Sequence, residues 1–338
     1  MKKQYTFLSF IFLAGSTALA PLAHAQSYSF QTVQFPGANQ TYIAGIDGGN
    51  VVGNYYDSNW VSTSFVYNGS NYSDFTLPVF NTGYGVMGIQ GNIVVGYYSD
   101  NTTPGYTNVS HGFSFDGIHF LTYDHPLSGY TDNNNPGLNQ PTDTRLLGIS
   151  GNSVFGQYRL VVDPGVAMSD KFIGFVYDGN YTSIEVPDAQ STQIRAISNG
   201  IIYGNYQMLV NGSWGPQHGF TFDGAVYSQL IFPGSTSSSI WGVSGNTVVG
   251  TYAGEDYIEH GYLFDGSTFT TFDYTGPGAV GTALMGINGD TLWGYSYDAD
   301  WNNTSFIATP AAIPEPSTYG LIGVGALAVA IAARRRKQ

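Results

Sequence analysis

Six times the chain repeats one line in which glycines frame a short apolar run. It reads GIDGGNVVGNYY from Gly45, GIQGNIVVGYY from Gly88, GISGNSVFGQY from Gly148, AISNGIIYGNY from Ala196, GVSGNTVVGTY from Gly242 and GINGDTLWGYS from Gly286. The closing glycines, Gly53, Gly96, Gly156, Gly204, Gly250 and Gly294, are spaced by 43, 60, 48, 46 and 44 residues. A period of about 45 residues belongs to propeller arrays, where one repeat is one four-stranded blade that cannot bury its apolar faces alone. Length by itself would suggest about two domains; the repetition replaces that expectation with a single array.

A second line follows the first in five of the repeats: SFVYNG, HGFSFDG, IGFVYDG, HGFTFDG and HGYLFDG, each leading into a strand such as NYSDFTLP or STFTTFDY. Alternating apolar residues broken by Asn-Gly or Asp-Gly mark hairpins with two-residue turns at positive φ. Each repeat therefore supplies strands A and B joined at one tight turn, then C and D joined at another. The sixth repeat stops after strand C, at Ser305–Pro310. The missing strand D is found at the other end of the chain, where Gln31–Gly37 (QTVQFPG) parallels Ser228–Gly234 (SQLIFPG). An open array needs polar caps, whereas ring closure removes the exposed edge. The expected fold is all-β: a six-bladed β-propeller over residues 26–310, closed by pairing Tyr28–Phe35 beside Ser305–Thr309.

The G-I-x-G-x-x-V-x-G line with H-G-F resembles a bacterial extracellular repeat family named for its His-Ala-Phe tripeptide. Gly112, Gly219 and Gly261 stand where that tripeptide has Ala. The resemblance covers roughly residues 27–309 and implies a secreted propeller-like domain, with no activity attached.

Charge excludes one partner class. Between residues 26 and 313 the cations are Arg145, Arg159, Lys171 and Arg195, against 22 carboxylates, a formal charge of −18. Such a surface repels nucleic acid, whose binding depends on Lys and Arg replacing counterions. Cysteine is absent, so disulfides, thiol nucleophiles and thiolate metal sites are excluded.

Residues with chemical potential are few. His111, His218 and His260 occupy one slot before strand C in different blades, which argues for a structural role rather than a shared metal. His119 and His125 read as surface singletons. Asp116, Asp178, Asp223 and Asp265 open the Asp-Gly turns, where the carboxylate bonds nearby backbone N–H groups. Ser150 and Ser244 are not nucleophile elbows, since G-x-S-x-G is unmet. No catalytic residue and no cofactor is assigned. The A–B and C–D turns are uniformly short, while the B–C and D–A connections vary and emerge together on one face, where binding belongs. There the fifth B–C loop carries Glu255, Asp256 and Glu259, two of the four glutamates in the chain, and the sixth carries Asp298 and Asp300. These define the expected ligand face. Glu255, Glu259, Asp298 and Asp300 are also a weak calcium candidate, since Asp298-Ala-Asp300-Trp-Asn302 opens like a calcium loop but lacks its later Gly and Glu.

Both ends carry an address. Lys2 and Lys3 precede the apolar FLSFIFLAGSTALA, and Ala23-His24-Ala25 forms a small-residue cleavage site. Residues 1–25 therefore read as a secretory signal peptide. The chain closes on Pro314-Glu315-Pro316, a spanning helix placed at 317–333 and the cations Arg334, Arg335, Arg336 and Lys337. The uncharged Tyr319–Ala333 is short against the usual 20 residues of a bilayer span, and the cations would remain cytoplasmic.

Residues 311–338 resemble the PEP-CTERM sorting signal. That resemblance implies recognition by an exosortase at Pro314–Pro316, passage through the secretion machinery and transient residence in the inner membrane. It further implies a Gram-negative envelope and polysaccharide export. The expected protein is a non-enzymatic binding module on the cell surface or in the extracellular or biofilm matrix, with exopolysaccharide as the candidate partner. The alternatives are a secreted glycan hydrolase or lyase and a purely structural matrix protein.

Overall fold

The strands fall where the repeats place them. A computed structural model describes residues 27–78, 83–100, 109–129, 143–162 and 169–311. The expected signal peptide, the sorting motif and the expected spanning helix lie outside these residues, as does most of the long second D–A connection. An N-terminal strand, β1 (Tyr28–Val33), precedes the repeats. The first repeat forms β2 (Gln40–Asp47), β3 (Asn50–Tyr56), β4 (Ser62–Tyr67) and β5 (Tyr72–Phe75). The second forms β6 (Gly83–Gln90), β7 (Ile93–Asp100), β8 (Val109–Phe115) and β9 (Phe120–Tyr123). The third forms β10 (Thr144–Ser150), β11 (Ser153–Leu160), β12 (Lys171–Tyr177) and β13 (Tyr181–Ile184). The fourth forms β14 (Ser191–Ser198), β15 (Ile201–Val210), β16 (Ser213–Phe222) and β17 (Tyr227–Leu230). The fifth forms β18 (Ser237–Ser244), β19 (Thr247–Ala253), β20 (Glu259–Phe264) and β21 (Phe269–Phe272). The last half-repeat gives β22 (Gly281–Asn288), β23 (Thr291–Tyr297) and β24 (Asn303–Pro310).

The architecture is an all-β propeller, with no helix among the described residues. Four sheets are separate and four-stranded, while the third and fourth repeats share one eight-stranded sheet through a single parallel pair, Phe172 with Ser191. β1 lies beside β24 in a sheet of order β1-β24-β23-β22. The N-terminal strand thus completes the last half-repeat.

The H-G-F line explains the packing. Its aromatic position is Phe65, Phe113, Phe175, Phe220, Tyr262 and Phe306, and all six are fully buried. Its glycine leaves room for a neighbouring inner strand. A Cβ on Gly112, Gly174 or Gly219 would lie 2.9 Å from Leu146, Ile194 or Ile240. The apolar clusters accordingly form between successive sheets, as where Val52 and Phe75 meet Val86 and Phe113.

A belt of hydrogen bonds ties the A–B turns together. The last residue of each inner strand reaches the next repeat. Asp47 Oδ2 accepts the Gly91 N–H (2.5 Å). Gln90 Oε1 accepts the Gly151 N–H (2.9 Å), and Ser150 Oγ donates to the Ile197 carbonyl (3.0 Å). Ser198 Oγ donates to the Gly245 carbonyl (3.1 Å), Ser244 Oγ accepts the Gly289 N–H (3.0 Å), and Asn288 Nδ2 donates to the Ile46 carbonyl (2.8 Å). The path returns to its start. Ser150 and Ser244 therefore hold the fold.

Candidate functional site

The inner strands share one irregularity. Opposite each closing glycine the register slips by one residue, leaving Ala44, Met87, Leu147, Arg195, Trp241 and Met285 without ladder partners. A bulge of this kind redirects its side chain, and all six residues line an axial cavity of about 440 Å³. Three of the body's four cations form ion pairs: Arg145 with Asp143, Arg159 with Asp170 and Lys171 with Glu185. Arg195 forms none among the described residues. Its guanidinium lies 4.3 Å from the centre of the Trp241 ring and donates to Gln193 Oε1 at 2.7 Å. Burial lowers its pKa to about 10.

A second feature sits on the face of the variable loops. Three B–C turns each hold a large aromatic residue in the left-handed region: Trp60 (φ 61°), Tyr257 (φ 59°) and Trp301 (φ 63°). Bulky residues rarely adopt this conformation, and such strain gathers at functional positions. All three point outward, with exposures of 61%, 82% and 71%. Aspartates fix two of these turns. Asp57 Oδ1 accepts the N–H of Asn59 and Val61, and Asp298 Oδ1 accepts those of Asp300 and Asn302.

The three turns belong to the first, fifth and last repeats, which closure makes neighbours. Rings bridge them. Trp60 tilts against Tyr56, which meets Tyr42 edge-on, and Tyr42 meets Tyr295 at 5.3 Å. Trp301 stacks on Tyr297 at 4.9 Å, and the Tyr297 hydroxyl accepts the Glu259 N–H. The result is an aromatic rim.

The acidic residues predicted for this face are distributed around the rim. Glu255, Asp256 and Asp300 are exposed. Glu259 is half-buried, and burial raises its pKa. The Asp298 carboxylate is engaged by Asn302 and its own turn, which lowers its pKa. Among the described residues no three His, Cys, Asp or Glu side chains gather closely enough to hold a metal ion. The rim aromatics went unread in the sequence, although Asp-x-x-Trp recurs at 57–60 and 298–301.

The repeated histidines stay within their own blades. His111 Nδ1 is 2.8 Å from the Asp124 carboxylate, a bond that raises its pKa. His260 pairs likewise with Asp273. His218 lacks such a partner, and burial lowers its pKa.

His125 corrects the sequence reading. Far from lying on the surface, it is 3% exposed and stacks on Tyr158 at 3.6 Å. Phe35 on Tyr55 and Phe232 on Tyr252 fill the same slot in other repeats. Aligning His125-Pro126 with the Phe-Pro-Gly line would have revealed it. Its Nδ1 accepts the Leu127 N–H, so protonation there breaks a bond, and burial lowers the pKa to about 4. The unfolded value is near 6.5. Stability from the neutral ring is therefore complete above about pH 6.5 and is lost as the pH falls toward about 4. A displacement that large corresponds to a loss on the order of 3 kcal/mol. His125→Phe should flatten the fall in melting temperature between pH 6.5 and 4; an unchanged slope would refute the assignment.

Residues 312–337 match the PEP-CTERM protein-sorting motif. No curated protein is similar to the chain in sequence. Among solved structures the chain is similar to the lectin AAL of Aleuria aurantia, at 11% identity over 85% of this chain and 100% of that one, with a TM-score of 0.41. It is also similar to the Pyrococcus horikoshii acylaminoacyl peptidase (11% identity, 80% and 44% covered, TM-score 0.46). A third is the Trypanosoma rangeli sialidase (9% identity, 80% and 54% covered, TM-score 0.45).

Proposed function

We propose that the chain is an exported binding module whose aromatic rim takes a neutral carbohydrate polymer outside the cell. Delivery rests on the sorting motif at 312–337: the signal at 1–25 exports the body, and an exosortase cuts near Pro314–Pro316 after a transient stay in the inner membrane. The body is a ring of six blades, counting the eight-stranded sheet as two. The belt that passes through six A–B turns supports that count.

The rim carries the reading. Flat rings present C–H-complementary faces to sugars, and large amphipathic side chains supply contact area at low entropic cost. The chain keeps three such rings exposed and in a costly backbone conformation, which packing alone would not select. The strongly acidic body disfavours anionic polymers and leaves neutral glycans as the fitting class.

Trp60→Gly and Trp301→Gly separate binding from folding, because glycine adopts the left-handed region freely. Each variant should melt within a few degrees of the parent while glycan affinity, measured by calorimetry on hits from a neutral-glycan array, falls at least about tenfold. Parental affinity in both variants, or an array without hits, would overturn the proposal. A glycan-cleaving enzyme is the second reading, favoured by the half-buried carboxyl of Glu259, whose raised pKa suits a general acid. Product released by the parent and not by Glu259→Gln would select it.

A further inference from the structure

The axial cavity has a chemistry of its own, independent of the rim. Its wall joins the apolar side chains of Ala44, Met87, Leu147, Trp241 and Met285 to polar turn residues such as Gln90, Ser150 and Ser244. Into it the fold places Arg195, the body cation without an ion pair among the described residues. The side chain is half-buried and lines the cavity. Among the described residues, two buried side-chain atoms on the lining have no hydrogen-bond partner, Arg195 Nε and Trp293 Nε1, and both are donors. The carboxylate on the lining, Asp47, accepts from Gly91 and Asn288 in the belt and forms no ion pair with Arg195.

An unpaired cation in a low-dielectric cavity is costly unless something neutralises it. Nothing in the fold requires it there, since the equivalent positions hold Ala, Met, Leu, Trp and Met. The guanidinium Nε–H has no partner among the described residues, and a guanidinium fork fits a planar, two-oxygen acceptor bidentately. The Trp241 ring, centred 4.3 Å from the cation's Cζ, restrains it by a cation–π contact. We propose that the axial cavity is a binding site for a carboxylate, with Arg195 as the anion-binding residue and Trp241 as the residue that positions it.

Two sources supply that chemistry: a small free carboxylate and the carboxylate of a sugar acid. The full chain in mild detergent is titrated at fixed ionic strength with acetate, with glucuronate and with glucose as the neutral control. Thermal melting and tryptophan fluorescence are the readouts, since a ligand on Arg195 alters the surroundings of Trp241. Saturable stabilisation by a carboxylate but not by glucose is the expected result. A response to acetate and glucuronate alike marks a free carboxylate as sufficient, and a response to glucuronate alone marks a sugar acid. Arg195→Gln should weaken the responding anion at least about tenfold. Arg195→Lys, which keeps the charge and loses the fork, should weaken it less. Without anion, Arg195→Met should melt no lower than the parent, because it removes an uncompensated charge. The proposal fails if neither carboxylate gives a saturable shift in the parent, or if Arg195→Gln or Arg195→Met responds as the parent does.

Discussion

Deleting residues 27–37 from the full chain should lower the melting temperature by more than about 10 °C and expose an edge that pairs between molecules. The segment contributes three apolar anchors. Val33 is buried with Ile43, Val51, Phe65 and Trp293. Phe30 meets Tyr274 and Phe306 edge-on at 4.9 and 5.5 Å. Phe35 stacks on Tyr55 at 3.8 Å. At roughly 1.5–3 kcal/mol for a side chain buried in full, Val33 and the half-buried Phe30 and Phe35, together with the lost β1–β24 ladder, take about 5 kcal/mol from a domain whose whole stability is about 5–15 kcal/mol. At roughly 2–4 °C per kcal/mol for a chain of this size, the fall is unmistakable. Removing β1 also frees one edge of β24, which stays paired with β23 on the other, and an open edge strand recruits other strands. Light scattering on warming should therefore rise earlier in the deletion variant. A peptide spanning residues 27–37, added in excess, should restore part of the loss. A deletion variant that melts with the parent would refute closure through the two ends.

What the sequence disclosed depends on how local each signal is. The positions of the turns could be read from Asn-Gly and Asp-Gly, but not their length: the C–D loops have three or four residues rather than two, and only their glycines have φ > 0. Closure was legible because Gln31–Gly37 preserves the strand D line of another repeat. The belt was hidden: its residues are Asp47, Gln90, Ser150, Ser198, Ser244 and Asn288, chemically varied groups that share only the ability to reach a neighbouring turn. The bulges were hidden as well, since a one-residue slip leaves no mark on an alternating pattern. Without the bulges, Arg195 could not be told from Arg145 or Arg159. Their ion pairs join positions 2 and 11 residues apart, whereas the ring against Arg195 is Trp241 of the next repeat. The acidic loops drew attention because charge is scarce in this chain, yet the feature that distinguishes the same face is backbone strain under Trp60, Tyr257 and Trp301. Composition carries no record of φ.

The closing glycines offer the sharpest test of the bulge geometry. Gly250→Ala should cost about 3 kcal/mol or more and lower the melting temperature by about 6–12 °C. A Cβ there would lie 1.9 Å from the Ser239 carbonyl oxygen and 2.6 Å from the Tyr262 ring. Neither neighbour can retreat. The carbonyl belongs to the inner strand just before the slip between Ile240 and Gly242, and the ring is fully buried. Moving either one opens the ladder or the core. The same clash recurs at Gly53, Gly96, Gly156, Gly204 and Gly294, where a Cβ would come within 1.9–2.2 Å of the inner-strand carbonyl. The glycine that closes each repeated line is therefore the counterpart of the bulge that turns a side chain toward the axis, and one cannot be kept without the other. Gly83 is the control, because its Cβ would meet nothing within 4 Å and its φ is not in the left-handed region. Gly83→Ala should melt within about 2 °C of the parent, as surface substitutions do. Because the axial cavity is built from the bulges, Gly250→Ala should also weaken any carboxylate response below its midpoint, while Gly83→Ala leaves it intact. Equal melting of the two variants would show that the inner strands can accommodate a methyl group opposite the slip, and the bulge account would fall.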